Sequence, residues 1–315
     1  MLDDIDPRSR DDDDPREVEG HWVTLDRGSS EDDPRDVIED TRERDRDARE
    51  RDPRDPFIDG LELPRGLERE VVVDGDHRYE LNGDESRSLA AIGALRVVSE
   101  HDLRDPRDDA ADPRETVRHL RDEGLVRFVS LDGGERAVTL TDHGQHLLET
   151  HRHEHDGGRD QTFYADVSRA RELAHDVQLY RAYLDEADRL RDEGGDVRRV
   201  VLDRELKREY QEWLQAHNRG RADSDGRPDR DVREIEDWAR EHNLPYFDDS
   251  VHFPDFRIEY EVDGRERHED VEVVTEHYRG AHAASVARAG FCCYSSGGRS
   301  GGRGFDPRVA EKILR

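Results

Sequence analysis

The chain has 315 residues, enough for two domains or three small ones, with 42% charged residues, 32% hydrophobic residues and a net charge of −30. That balance lies near the edge of what can bury a core. No apolar run approaches ~18 residues, and no basic start leads into an apolar stretch, so a soluble cytoplasmic protein that neither spans nor binds a membrane is expected.

Basic charge is nearly all arginine, with lysine only at Lys207 and Lys312. An acidic, lysine-poor surface suits a solution close to salt saturation. The Debye length is about 3 Å already at 1 M salt, so self-repulsion is screened there. The acidity therefore reads as solvation chemistry more than as a sign of a basic partner. Cys292 and Cys293 are adjacent, which suits neither a bridge nor a four-ligand zinc site, and a reducing interior fits.

Residues 1–56 are dominated by Asp, Glu, Arg and Pro and read as an acidic disordered tail. Order is expected from Phe57. A hairpin over 69–81 turns at Asp74-Gly75. Leu89, Ile92, Leu95 and Val98 then recur at helical spacing, with Ser86 as the expected cap. After a Pro-containing break, Asp112-Pro113 opens a second helix, which Gly124 closes. Strands over 125–131 and 136–140 flank Asp132-Gly133-Gly134, and a helix follows over 141–152. This order of helices and strands is that of a winged helix-turn-helix domain, expected over 57–152.

A polar linker over 153–165 leads to a second domain over 166–296. Its long helix carries Leu173, Val177, Tyr180, Leu184 and Leu190 along one stripe. A strand at 197–202, two helices, strands at 256–262 and 268–275, a helix at 280–290 and a last strand at 291–295 follow. Residues 297–315 read as a Gly/Arg-rich tail with a short terminal helix. The class is α/β with mixed sheets.

In a winged helix-turn-helix the second helix enters the major groove and the hairpin touches the backbone or minor groove. The reading helix is Pro113 to Glu123. Its outward positions include Arg114, Arg118, His119 and Arg121 as DNA-contact candidates, with Arg118 and Arg121 able to read guanine and Arg114 or Thr116 placed for phosphates. Arg127 and Arg136 put charge on the hairpin. The partner these residues imply is double-stranded DNA, with a homodimer allowed. High salt suppresses counterion release, so such a binder relies on close hydrogen bonds and fit. Use of the same fold for protein contact is the bland alternative, because the module is not basic overall.

Pro254-Asp255 stands at the mouth of a strand and Glu272 lies in a later one, an arrangement that can share a divalent ion. With a leading helix, a strand meander, a helix and a closing strand, the pattern resembles the PD-(D/E)xK nuclease superfamily. Glu272 also alternates with Val271 and Val273, so the solvent side of an edge strand stays open as its reading. The segments LRDEGLV (120–126), VTLTDHG (138–144), HDVQLYRAYL (175–184), PDF (254–256) and VEVVTEHYRG (271–280) recur in this order. Together they resemble the replication-relaxation family of plasmid and mobile-element proteins of salt-loving archaea, over roughly Ser86 to Tyr294. The resemblance implies a winged helix joined to a nuclease-like domain, with Asp255 and Glu272 as catalytic and metal-binding residues and Mg²⁺ or Mn²⁺ as cofactor if it cleaves. The lysine of the nuclease pattern is replaced by Val274; Arg279, His277 or Lys207 would have to substitute for it. A DNA-binding protein without catalysis or cofactor, serving the replication, mobilisation or regulation of a mobile element, is therefore expected. A metal-dependent nuclease and a protein-contact module are the alternatives.

His143, His146, His151, His153 and His155 crowd one region, and His151 and His155 have a zinc-chelating spacing on a helix. Solvated linker histidines are the simpler reading.

Overall fold

The computed structural model describes residues 52–103, 112–131, 135–153, 160–165, 173–218, 230–274 and 288–295. The acidic N-terminal segment up to Arg51, the turn at Asp132-Gly133-Gly134, residues 280–287 of the helix expected over 280–290, with His277, Tyr278 and Arg279 before it, and the C-terminal tail lie outside the described residues. The described chain is mixed α/β.

Packed chain reaches back beyond Phe57 to Asp52, because Arg54 is a core residue. Its guanidinium is fully buried and bonds Asp52 at 2.6 Å, Asp84 at 2.8 Å, Ser88 Oγ at 2.9 Å and Leu103 O at 3.2 Å. Helix α1 (Asp55–Ile58) follows, then the hairpin β1 (Glu70–Asp74) and β2 (His77–Leu81). The hairpin turns at Gly75, where φ is +58°.

Helix α2 spans Gly83–Leu95. Its cap is Asn82 rather than Ser86: the Asn82 side chain accepts the Glu85 N–H and the Glu85 carboxylate accepts the Asn82 N–H. Ser86 instead donates to the Asn82 carbonyl. The helix stops before Val98, because Arg96 turns left-handed at φ 66°. Val98–Ser99 then forms β3, and Val98 is buried opposite Val138 instead of extending the helical stripe.

Helix α3 (Pro113–Asp122) starts on Asp112, whose carboxylate accepts the Arg114 N–H at 3.0 Å. It ends at Gly124, φ +78°, with the Leu125 N–H returning to the Leu120 carbonyl at 2.9 Å. Strands β4 (Val126–Ser130) and β5 (Arg136–Leu140) follow, and β5 pairs antiparallel with both β3 and β4. Helix α4 (Asp142–Thr150) is capped by Thr141.

Helix α5 (Leu173–Asp192) lies on one face of a four-stranded sheet of β6 (Asp196–Leu202), β9 (Phe256–Val262), β10 (Arg265–Val274) and β11 (Cys292–Ser295). The strand order is β11-β10-β9-β6; only the β10–β11 pair is parallel. Between β6 and β9 the chain inserts α6 (Asp203–Gln215), α7 (Val232–Glu241) and a small hairpin of β7 (Tyr246–Phe247) and β8 (Ser250–Val251). This insertion builds its own aromatic core of Trp238, Leu206 and Leu244 against Val201 of β6, with Tyr210 and Trp213 packed on it.

One hydrophobic core runs from α2 and α3 through α5 into β6, β9 and β10. Part of the expected linker belongs to it. Phe163 is buried, and the Tyr164 N–H bonds the Gly93 carbonyl at 2.9 Å. Glycine at position 93 leaves room for these side chains: a Cβ there would lie 2.8 Å from the Leu140 side chain and 2.9 Å from the Phe163 ring, so one of them would have to shift. The Gln161 amide closes the outer edge of β6, donating to the Val200 carbonyl and accepting the Val200 N–H, each at 2.9 Å. No helix among the described residues is long and apolar enough to cross a membrane.

Candidate functional site

Helix α3 sorts its residues by helical geometry. Val117 and Leu120 are fully buried in the main core. Arg114, Arg118 and Arg121, at i, i+4 and i+7, form an exposed stripe on the outer side. The guanidiniums of Arg114 and Arg118 have no hydrogen bond or ion pair among the described residues, and the same is true of exposed Arg127 on β4.

Thr116 and His119 take a different direction from the one expected. They lie on the flank that faces α2. The Thr116 hydroxyl donates to Asp84 Oδ2 at 2.9 Å. His119 Nδ1 is 2.9 Å from Glu85 Oε1, and its Nε2 is 3.5 Å from Glu123. Both side chains therefore fasten α3 to α2. Asp84 is shared with buried Arg54, so the anchor of the N-terminal segment also sets the start of α3.

The remaining two expected residues meet on one ring. Phe128 of β4 is half-buried, and the Arg121 and Arg136 guanidinium carbons stand over it at 5.6 and 4.8 Å. Arg121 is also held by Asp122 at 2.6 Å, and Arg136 by Glu100 at 2.7 Å. The opposite face of the hairpin is braced by α5. Val129 and Leu131 pack with Leu173 and Val177, and Arg181 binds Asp102 at 2.6 Å and Glu135 at 3.4 Å.

The second expected site lies where β9 begins. Asp255 and Glu272 are neighbours: the Asp255 N–H donates to Glu272 Oε2 at 3.2 Å. Glu272 is only 4% exposed, because β10 is flanked by β9 and β11; it is not on the solvent side of an edge strand. Asp255 Oδ2 accepts the Val273 N–H at 2.8 Å and stands 3.0 Å from His175 Nε2. His175 Nδ1 is 3.7 Å from Asp176. Burial pulls the imidazole pKa down, but the hydrogen bonds and charges of Asp176 and Asp255 outweigh it and push it up to about 10. A protonated His175 is thus the cation of this corner.

One oxygen of each carboxylate of the Asp255–Glu272 pair is already engaged by protein groups. One Asp255 oxygen is shared by a backbone N–H and an imidazolium, and a Glu272 oxygen accepts the Asp255 backbone. Val274 stands at the lysine position, and Lys207 is held by Asp203 on α6 at 2.7 Å. Among the described residues, three ligand atoms converge only at Glu186, Glu269 and Cys292. That cluster already has its cation in Arg189, which binds Glu186 and lies 3.3 Å from Glu269, while Tyr294 donates to Glu186. Burial, with Glu186 and Glu269, pushes the Cys292 thiol up to about 12.

The crowded histidines disperse. His151 Nε2 stands 3.2 Å from the Val73 carbonyl, His146 lies 3.7 Å from Asp74, and His143 packs edge-on to His77. His155 lies outside the described residues.

Sequence reasoning missed His175, Phe128 and Arg54. Only His175 had a local signal, the His175-Asp176 pair near the start of α5. Comparison of the chain with models of protein families, with curated proteins and with solved structures gives no match.

Proposed function

We propose that the protein binds double-stranded DNA through a winged helix-turn-helix and does not cleave it. α2, α3 and the β3-β5-β4 sheet are the helix-turn-helix and wing of this reading. The observation that carries it is the exposed stripe of Arg114, Arg118 and Arg121, the first two without a partner among the described residues, beside a hairpin that adds Arg127 and Arg136. Guanidiniums with spare donors suit bidentate contacts to guanine or phosphate, each base contact worth about 1–3 kcal/mol of discrimination. Thr116 and His119 drop out of the contact set and hold α3 against α2.

The same reading takes the α5 and four-stranded-sheet half as a nuclease-like fold that has kept its shape without its chemistry. The hold of His175 and Val273 on Asp255 supports this. The order of sequence segments favours a role in the replication, mobilisation or regulation of a mobile element.

The test is a gel-shift and cleavage assay on duplex DNA in multimolar KCl, with and without Mg²⁺ or Mn²⁺. Binding by the wild type, weakened about tenfold or more by Arg118→Ala with no cut product, is the expected result. Equal binding by an Arg114→Ala/Arg118→Ala double variant would overturn the interface. Metal-dependent cutting lost in Asp255→Ala would overturn the non-catalytic reading.

A further inference from the structure

The DNA reading leaves one group without a role: an aromatic ring, half-exposed on a strand, with two arginines from different elements over it. We propose that Phe128 is the positioning residue of the DNA-binding surface, presetting Arg121 of α3 and Arg136 of β5 as one two-armed contact. The inference rests on the DNA reading and deepens it.

Strand register puts the three groups together. Phe128 pairs with Val138 and Ser130 pairs with Arg136, so Phe128 and Arg136 share a face of the hairpin as diagonal neighbours. The tight turn at Gly124 returns the chain from α3 directly into β4, so Arg121 reaches the same ring. Each guanidinium is thereby limited on two sides, by the ring and by one carboxylate: Asp122 for Arg121, Glu100 for Arg136. Phe128 itself is seated on the main core, so the platform does not move with the side chains it carries.

The physical gain is pre-organisation. A free arginine loses rotamer freedom on binding, and one already stacked loses less. The stack also resists salt in a way the carboxylate contacts do not. At about 1 M salt the screening length is near 3 Å, which weakens exposed ion pairs, whereas ring contact is short-ranged and partly dispersive. DNA then displaces Asp122 and Glu100 as partners while the ring contacts persist. Arg114, Arg118 and Arg127, which touch no ring among the described residues, are the adaptable part of the surface.

The experiment compares wild type, Phe128→Leu and Phe128→Tyr by duplex-DNA titration in multimolar KCl, by thermal unfolding, and by the side-chain NMR resonances of Arg121 and Arg136 without DNA. Phe128→Leu is expected to weaken binding about five- to tenfold, from the loss of two cation–π contacts. Its arginine resonances should lose the upfield shift that a ring current imposes. Phe128→Tyr, which keeps the ring, should restore both readouts, which a loss of general packing would not explain. Wild-type affinity in Phe128→Leu, or arginine resonances indifferent to it, overturns the inference while leaving the DNA reading intact. No binding by the wild type, at any salt, overturns the DNA reading itself and the positioning role with it.

Discussion

The outer face of α3 and the corner around Asp255 are both built from charged residues, and they differ in whether those charges are used up. Arg114 and Arg118 are exposed and have no partner among the described residues. Asp255 is engaged by a backbone N–H, by His175 and, through its own N–H, by a buried glutamate. Spare hydrogen-bonding capacity is what a binding surface offers to an incoming partner, whereas a satisfied cluster stabilises the fold. The same contrast separates two arginines: the Arg54 guanidinium has its donors bonded inside the protein, and the Arg118 guanidinium bonds no group among the described residues.

The largest effect that would sharpen this contrast is on Arg54. Arg54→Met leaves Asp52 and Asp84 without their buried cation and should cost about 3–5 kcal/mol of stability in denaturant unfolding. A loss under about 1 kcal/mol would show that the junction is not held by charge.

Asp255→Ala should cost about 2 kcal/mol of stability, by stranding the Val273 N–H and His175, with DNA affinity unchanged in a titration. Loss of affinity with stability intact would reverse the assignment of the two regions.

For Arg118→Ala the pattern inverts. Affinity should fall by about 1–3 kcal/mol, while unfolding stays within about 0.5 kcal/mol of wild type, as for an exposed side chain with no partner. A stability loss larger than the affinity loss would break the comparison.

The corner should also carry a pH signature that the arginine face lacks. The folded-state pKa of His175 is raised from 6.5 to about 10, so its contribution is complete below about 6.5 and is lost as pH rises towards 10. Melting temperature should therefore fall more steeply between pH 7 and 10 in wild type than in His175→Gln. Parallel curves would mean that the imidazolium is not the cation of the corner.

The smallest expected change is in Thr116→Val, about 1 kcal/mol of stability from the hydrogen bond to Asp84, with little effect on DNA binding. A large affinity loss would return Thr116 to the contact surface.

What the sequence determined by itself was local. The Asp112 cap, the Gly124 stop, the turn at Gly75 and the stripe of arginines on α3 all follow from short-range backbone sterics and helical period. The tertiary structure decided everything that depends on a distant partner. Thr116 turns to Asp84 thirty-two positions away, and His175 reaches Asp255 across eighty. Burial of Glu272 required β11 to close over β10 from beyond the end of that strand, which alternation along β10 cannot reveal. A side chain's exposure and partner are set by what folds against it, and in a chain with 81 acidic residues local pattern cannot choose among so many carboxylates.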